Sequence, residues 1–255
     1  MTLDRVSFLG LSMFNNNVFE VCDYIEENVI GKGYQYLITP NVDHLTRLNY
    51  EYSDDFYQAY LKASIIVNDS RILCKVSQLL KGNLTKFCPG SDLTVELLRR
   101  VKDKRVYIVG SNQKSVDIVQ KKFKIKNIDF YSPPIGFIEN QQECKKIAHL
   151  IKEFSPDLIV LAVGSPRQEQ LALKLSNENL NALAICVGAS IDFISGDVKR
   201  APLVFQRCSL EWLYRIIQEP RRLFLRYFVC FFRLFKIIYR DVLNRKTNEA
   251  YLFDE

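Results

Sequence analysis

Thr39, Asn41, Asp69, Gly110, Gln168 and Asp192 share one sequence context: each lies within a few residues of the end of a short apolar run. Thr39-Pro40-Asn41 closes the run 34–38, Asn68-Asp69-Ser70 closes 64–67, and Gly110-Ser111-Asn112 closes 105–109. Gly164 to Glu169 follows 157–163, and Gly188 to Asp192 follows 182–187. Polar turns directly after buried strands belong at the carboxyl edge of a parallel sheet, which is where such sheets bind ligands. The same residues have plainer uses. Asp69 or Ser70 can cap the helix that follows, and Gln168 and Asp192 can serve helix starts and turns. Gly110-Ser111-Asn112 sits between strand and helix, an arrangement that suits a phosphate. It carries neither a GxGxxG nor a Walker sequence, so by itself it specifies little.

A second chemistry lies in the tail. Residues 199–246 hold twelve Lys or Arg against Glu211, Glu219 and Asp241. This segment carries +9, and the remainder of the chain about −3 of the formal +6. Such asymmetry points to an anionic partner. From Pro220 onward the pattern is one helix, with the proline in its first turn. At 100° per residue, Arg222, Arg226, Arg233, Lys236 and Arg240 share one narrow stripe, and aliphatic and aromatic residues fill the rest. That profile describes a helix lying in a membrane interface, its apolar side in the acyl boundary and its cations among lipid phosphates. Packing on its own domain or on a second copy is the rival reading. Arg226, Arg233 and Lys236 argue against a span, each costing roughly 2.5–3.5 kcal/mol near the bilayer centre.

The elements that must position these groups alternate. Strands are expected at 6–11, 34–38, 64–67, 105–109, 128–131, 157–163 and 182–187, with helices between them, among them one capped within 15–17 and running through Val29. The fold class is therefore α/β: a parallel-sheet, Rossmann-like core with helices on both faces and a C-terminal helical, membrane-associating appendage. The boundaries expected are 1–197 for the catalytic core, 198–245 for the basic amphipathic appendage and 246–255 for a loose terminus. The N-terminus lacks the pattern of a signal peptide. Seven scattered cysteines without CxxC spacing, and only two histidines, argue against disulfides and structural zinc.

The segments TPNVDHL, IIVNDSRIL, GSDL, VYIVGS, SPPIGF, LAVGSPRQE, CVGASIDFISGDVKRAP and LEWLYRIIQEPRR, in this order from about Val6 to Arg222, resemble the WecG/TagA/CpsF glycosyltransferases, glycosyltransferase family 26. The resemblance implies an inverting, metal- and cofactor-independent hexosyltransferase. Its donor would be a UDP-sugar of the N-acetylmannosamine type or a related one. Its acceptor would be an undecaprenyl-diphosphate-linked sugar at the cytoplasmic face of the membrane, in teichoic acid or other surface polysaccharide synthesis. It implies Asp69 as catalytic base, taking the proton of the attacking hydroxyl. Thr39 and Asn41 fall on the acceptor side. Gly110, Gln168 and Asp192 line the nucleotide-sugar pocket, the Gln pairing with uracil.

Without a metal, the leaving UDP needs protein cations. Arg200, Arg215 and Arg222 of the appendage match them. Three departures stand out: NDS where the family shows PDG, Phe87-Cys88-Pro89-Gly90 where it carries an arginine, and Leu225 where it carries another. Lys86 and Arg226 are the candidate replacements. The SPPIGF loop resembles polysaccharide-cluster members more than the teichoic-acid prototype. Membrane docking would assemble the active form, leaving the free protein sluggish or a homo-oligomer. A non-catalytic membrane-surface or nucleotide-binding protein on the same scaffold is the alternative. Nucleic acid is not an expected partner, since no basic groove motif lies outside the tail.

Overall fold

The computed structural model describes residues 3–51, 53–208 and 210–247; the side chains at 203, 207, 222 and 244–247 lie outside the described ones. The expected strand at 6–11 is instead a hairpin, β1 (Arg5–Phe8) and β2 (Leu11–Phe14). Leu9 and Gly10, at φ 49° and 80°, make the two-residue turn. Both central residues of such a turn need positive φ, and leucine rarely supplies it.

The main sheet is parallel throughout, in the order β4-β3-β8-β7-β5-β6. Its strands are β3 (Gln35–Ile38), β4 (Ile65–Ile66), β5 (Arg105–Val109), β6 (Asn127–Tyr131), β7 (Leu158–Leu161) and β8 (Leu183–Cys186). Between and after them come α1 (Val18–Asn28), α2 (Val42–Tyr50), α3 (Asp54–Leu61), α4 (Arg71–Leu79), α5 (Gly90–Arg100), α6 (Gln113–Phe123), α7 (Gln141–Phe154), α8 (Arg167–Leu175) and α9 (Ser190–Ser195). Alternate residues of each strand enter different cores. Tyr36, Ile38, Val109, Leu161 and Cys186 join one, and Leu37, Ile108, Val160 and Ile185 the other. A sheet covered on both faces needs apolar residues at successive positions, which is why β7 reads Leu-Ile-Val-Leu with all four buried.

The appendage is helical: α10 (Leu203–Arg207), α11 (Glu211–Gln218) and the long α12 (Pro220–Thr247). α12 packs along α2 through Cys230, Leu234 and Ile237, all buried. Three of its cations are engaged with α2, which the periodicity did not suggest. Arg226 makes a bidentate ion pair with Asp43, Nε lying 2.9 Å from Oδ1, and Arg233 pairs with Glu51. Arg240 donates to Asn49 at 3.2 Å and lies over the Tyr50 ring. Burial opposes ionisation of Asp43, yet Arg226 and Arg47 hold its carboxyl at about 2. What faces outward is apolar: Phe224, Leu225, Phe228, Phe231, Phe232 and Phe235 are each more than half exposed. Thus one face packs on the core, as the rival reading expects, and the aromatic face stays open. Among the described residues no helix is long and apolar enough to cross a membrane.

Candidate active site

The loop after β4 answers the question of who caps α4. Ser70 is the N-cap, its Oγ accepting from Leu73 N at 3.3 Å, which leaves Asp69 without that duty. Asn68, 1% exposed, holds the loop. Its Oδ1 accepts from Ser70 N at 3.0 Å, and its Nδ2 donates to Ser70 O and Lys86 O. This side-chain-to-backbone turn does the work that a Pro-Asp-Gly turn would do by conformation alone. Asp69 N donates to Pro40 O at 2.9 Å, joining the ends of β3 and β4.

The Asp69 carboxyl lies near the N-terminus of α5, where the Gly90 N–H favours its charged form. A Cβ on Gly90 would approach Thr39 Oγ1 to 2.9 Å, so Thr39 closes the opposite side. Thr39 itself donates to Cys186 O at 3.0 Å, reaching the end of β8. Although part of Asp69 reaches the surface, burial pushes its carboxyl up to about 8, with Glu211 adding to the rise. Gly90 N–H, Arg215 and Arg200 pull the other way. The appendage therefore reaches back over the strand ends. Arg200 pairs with Asp92 and lies 4.0 Å from Glu211, while Arg215 stands 5.3 Å over the Phe193 ring.

The remaining expected residues are more occupied. Asn41 is the N-cap of α2, its Oδ1 accepting from Asp43 N at 2.9 Å. Gln168, 3% exposed, spends both ends of its amide internally. Oε1 accepts from Gly188 N at 2.9 Å and Nε2 donates to Glu169 at 2.8 Å. Each end of the amide thus has one internal partner, leaving one proton and one lone pair for other use. Gly110, at φ 95°, is required by close approach: a Cβ would sit 2.5 Å from Val163 and 2.9 Å from the Ala162 backbone. Asp192 lies half-buried in the first turn of α9, its carboxyl raised by burial and by Asp197. The Arg222 side chain lies outside the described residues. Lys86 is tied to Glu20 on α1 at 2.7 Å and Arg226 is paired with Asp43. The cation at Phe87 is Arg71, 4.3 Å over its ring. Among the described residues no group of three or more His, Cys, Asp or Glu is placed to hold a metal.

Two carboxylates escaped the sequence reading. Glu211 is one, four residues before Arg215 on α11. Its signal was the acid-to-base spacing within EWLYR, but only the fold brings it to Asp69. Because Glu211 raises the Asp69 carboxyl, Glu211→Gln should move the acid limb of kcat/KM to lower pH. That limb reports the free enzyme, and an unmoved limb would show that Glu211 does not act on Asp69. The other is Glu169, fully buried in the first turn of α8.

A parallel α/β sheet gathering a raised carboxylate and appendage arginines at its strand ends defines a Rossmann-like protein equipped for group transfer. The glycosyl transferase WecG/TagA/CpsF family matches residues 6–248, and the chain belongs to that family. Among its relatives is an N-acetylglucosaminyldiphosphoundecaprenol N-acetyl-beta-D-mannosaminyltransferase of Staphylococcus aureus (strain MW2), 28% identical over 229 residues, covering 86% of this chain and 87% of the relative. A protein of the same description from Bacillus spizizenii is 34% identical over 173 residues, covering 65% of each chain.

Proposed function

We propose that this glycosyltransferase moves an N-acetylmannosamine-type sugar from a UDP donor to an undecaprenyl-diphosphate-linked sugar, with inversion and without a metal. The observation that carries the reading is Asp69, a carboxyl at the end of β4 faced by Arg200 and Arg215. The descriptions of the relatives supply the acceptor class and the sugar. In the reaction the acceptor oxygen attacks the anomeric carbon and its proton passes to Asp69. The bond from that carbon to the UDP oxygen breaks, and its electron pair leaves with the diphosphate. Arg215, and Arg200 once released from Asp92, offset the developing charge. Thr39 and Asn41 hold the acceptor side; Gly110, Gln168 and Asp192 shape the donor side, and Arg222 joins the arginines at the diphosphate. Incubating the full chain with UDP-N-acetylmannosamine and a GlcNAc-diphospholipid should yield UDP and an extended lipid by mass spectrometry. Failure with every UDP-hexosamine would refute the reading.

The enzyme works as a peripheral protein on the cytoplasmic face, its α12 aromatics in the lipid interface. The exposed Phe224, Phe228, Phe231 and Phe235 support this. Lys236 and Arg221, both exposed, supply attraction to anionic lipid, since Arg226 and Arg233 are already paired. Phe231→Glu with Phe235→Glu should abolish flotation with anionic vesicles and spare turnover on a water-soluble acceptor. Undiminished flotation would remove α12 from the membrane.

A further inference from the structure

A run of directional contacts crosses the protein beneath the strand ends. Asn41 N–H donates to His44 Nδ1 at 3.0 Å, and His44 completes the capping box of α2 in doing so. Accepting at Nδ1 fixes the neutral ring with its proton on Nε2. Burial pushes the His44 imidazole down to about 4, which keeps it neutral. Nε2 points at Glu169 Oε1, 3.6 Å away. The same carboxylate oxygen accepts from Gln168 Nε2 at 2.8 Å, and Gln168 Oε1 accepts from Gly188 N–H at 2.9 Å. The path runs from the end of β3 through α2 and α8 to the end of β8.

These groups are expensive to keep where they are. His44, Gln168 and Glu169 are 6%, 3% and 0% exposed, and His44 Nε2 and Glu169 Oε2 have no hydrogen-bond partner. Buried polar groups are normally satisfied, so an unsatisfied His44 Nε2 and an unsatisfied second oxygen on the facing Glu169 call for a reason. The first turn of α8 favours an acid through the helix dipole, but a solvent-facing side chain would gain that without burial. Apolar packing does not need a carboxylate here either, and burial pushes Glu169 up to about 7. The contact to His44 lacks only a few tenths of an ångström of hydrogen-bond length.

We propose that His44 and Glu169 are positioning residues which, through Gln168, tie the strand end bearing Thr39 and Asn41 to the strand end bearing Gly188 and Asp192. Acceptor and donor sides of the cleft then keep a set spacing, and the His44–Glu169 contact tightens when both are filled. The kinetic consequence rests on the glycosyl-transfer reading; the tie itself does not.

The test uses the full chain and His44→Gln. A glutamine at the third helical position still accepts from Asn41 N–H in a capping box, but gives up the imidazole contact with Glu169. Amide exchange should stay slow at Asn41 and quicken at Gly188 by about tenfold or more, on the far side of the tie. Turnover should fall by a similar factor with both substrates saturating, and combining His44→Gln with Gln168→Ala should cost less than the two losses multiplied together. Glu169→Gln, which keeps shape, should quicken Gly188 in the same way and serves if His44→Gln fails to fold. Unchanged exchange at Gly188 in the folded variants would reduce His44 to a helix cap and overturn the proposal. A wild-type protein inert toward every UDP-sugar would instead overturn the functional reading, with the Gly188 exchange still deciding the tie.

Discussion

Asp69→Asn should lower turnover by about 10²–10⁴-fold, the range spanned by a positioned general base, while leaving the fold and UDP binding in place. The substitution keeps the side chain's shape and its place near Gly90 N–H, and removes only the basic oxygen. A second measurement separates chemistry from structure. The folded carboxyl sits at about 8, above its ordinary 3.8, so folding favours its protonated form. Wild-type stability from this group is therefore full below about pH 4 and drains away as pH rises toward 8. The asparagine variant has nothing to lose in that window, and its Tm should overtake that of the wild type progressively up to pH 8. Near-normal turnover in Asp69→Asn would remove it as the base, whatever the Tm shows.

Arg200→Ala with Arg215→Ala in the full chain should cost on the order of 10²–10³ in kcat for each lost charge donor, with vesicle binding retained. Deleting residues 198–255 is a harsher version of the same experiment and a less clean one. On sequence alone the deletion leaves a soluble, inactive core. The packing of α12 changes that expectation: the deletion would bare the face of α2 that Cys230, Leu234 and Ile237 cover, and would leave Asp43 with Arg47 alone. Bared apolar surface favours self-association, so the truncated protein should also lose stability and aggregate. The double substitution is the experiment that reports on chemistry. Retained turnover in it would assign the leaving group's charge to other residues.

The strands of the main sheet were legible because each is a short apolar run buried on both faces and closed by a polar turn, as Leu158–Leu161 illustrates. The β1–β2 hairpin was not, because its turn places a leucine at positive φ where glycine or asparagine would have announced it. The site divides in the same way. Thr39, Asn41 and Asp69 follow their strands, so their placement at one edge could be read from order alone. Glu211 beside Asp69, and Glu169 beside His44, join residues more than a hundred positions apart, and no local pattern encodes such a meeting. Periodicity gathered the cations of α12 into one stripe correctly but was silent about their partners, since Asp43 and Glu51 lie some 180 residues earlier. Resemblance added what periodicity could not, namely a proposed role for each of the strand-end residues. It did not supply the internal bonds that occupy Gln168.

The contact between α2 and α12 has a bearing on acceptor length. It runs from Asp43 to Glu51 on one helix and from Arg226 to Arg240 on the other, and Asn41 caps the first. Two helices packed side by side stand about 8–10 Å apart. On the membrane placement of α12 proposed above, the threshold of the cleft would be held one such spacing above the lipid surface. That would give the enzyme a built-in gauge: the first sugar on a membrane-bound diphosphate would rise to that height, whereas the end of a longer glycan would overshoot it. Turnover should then fall when one or two sugars are inserted between diphosphate and acceptor, and equal rates on the longer lipids would show that no such gauge operates.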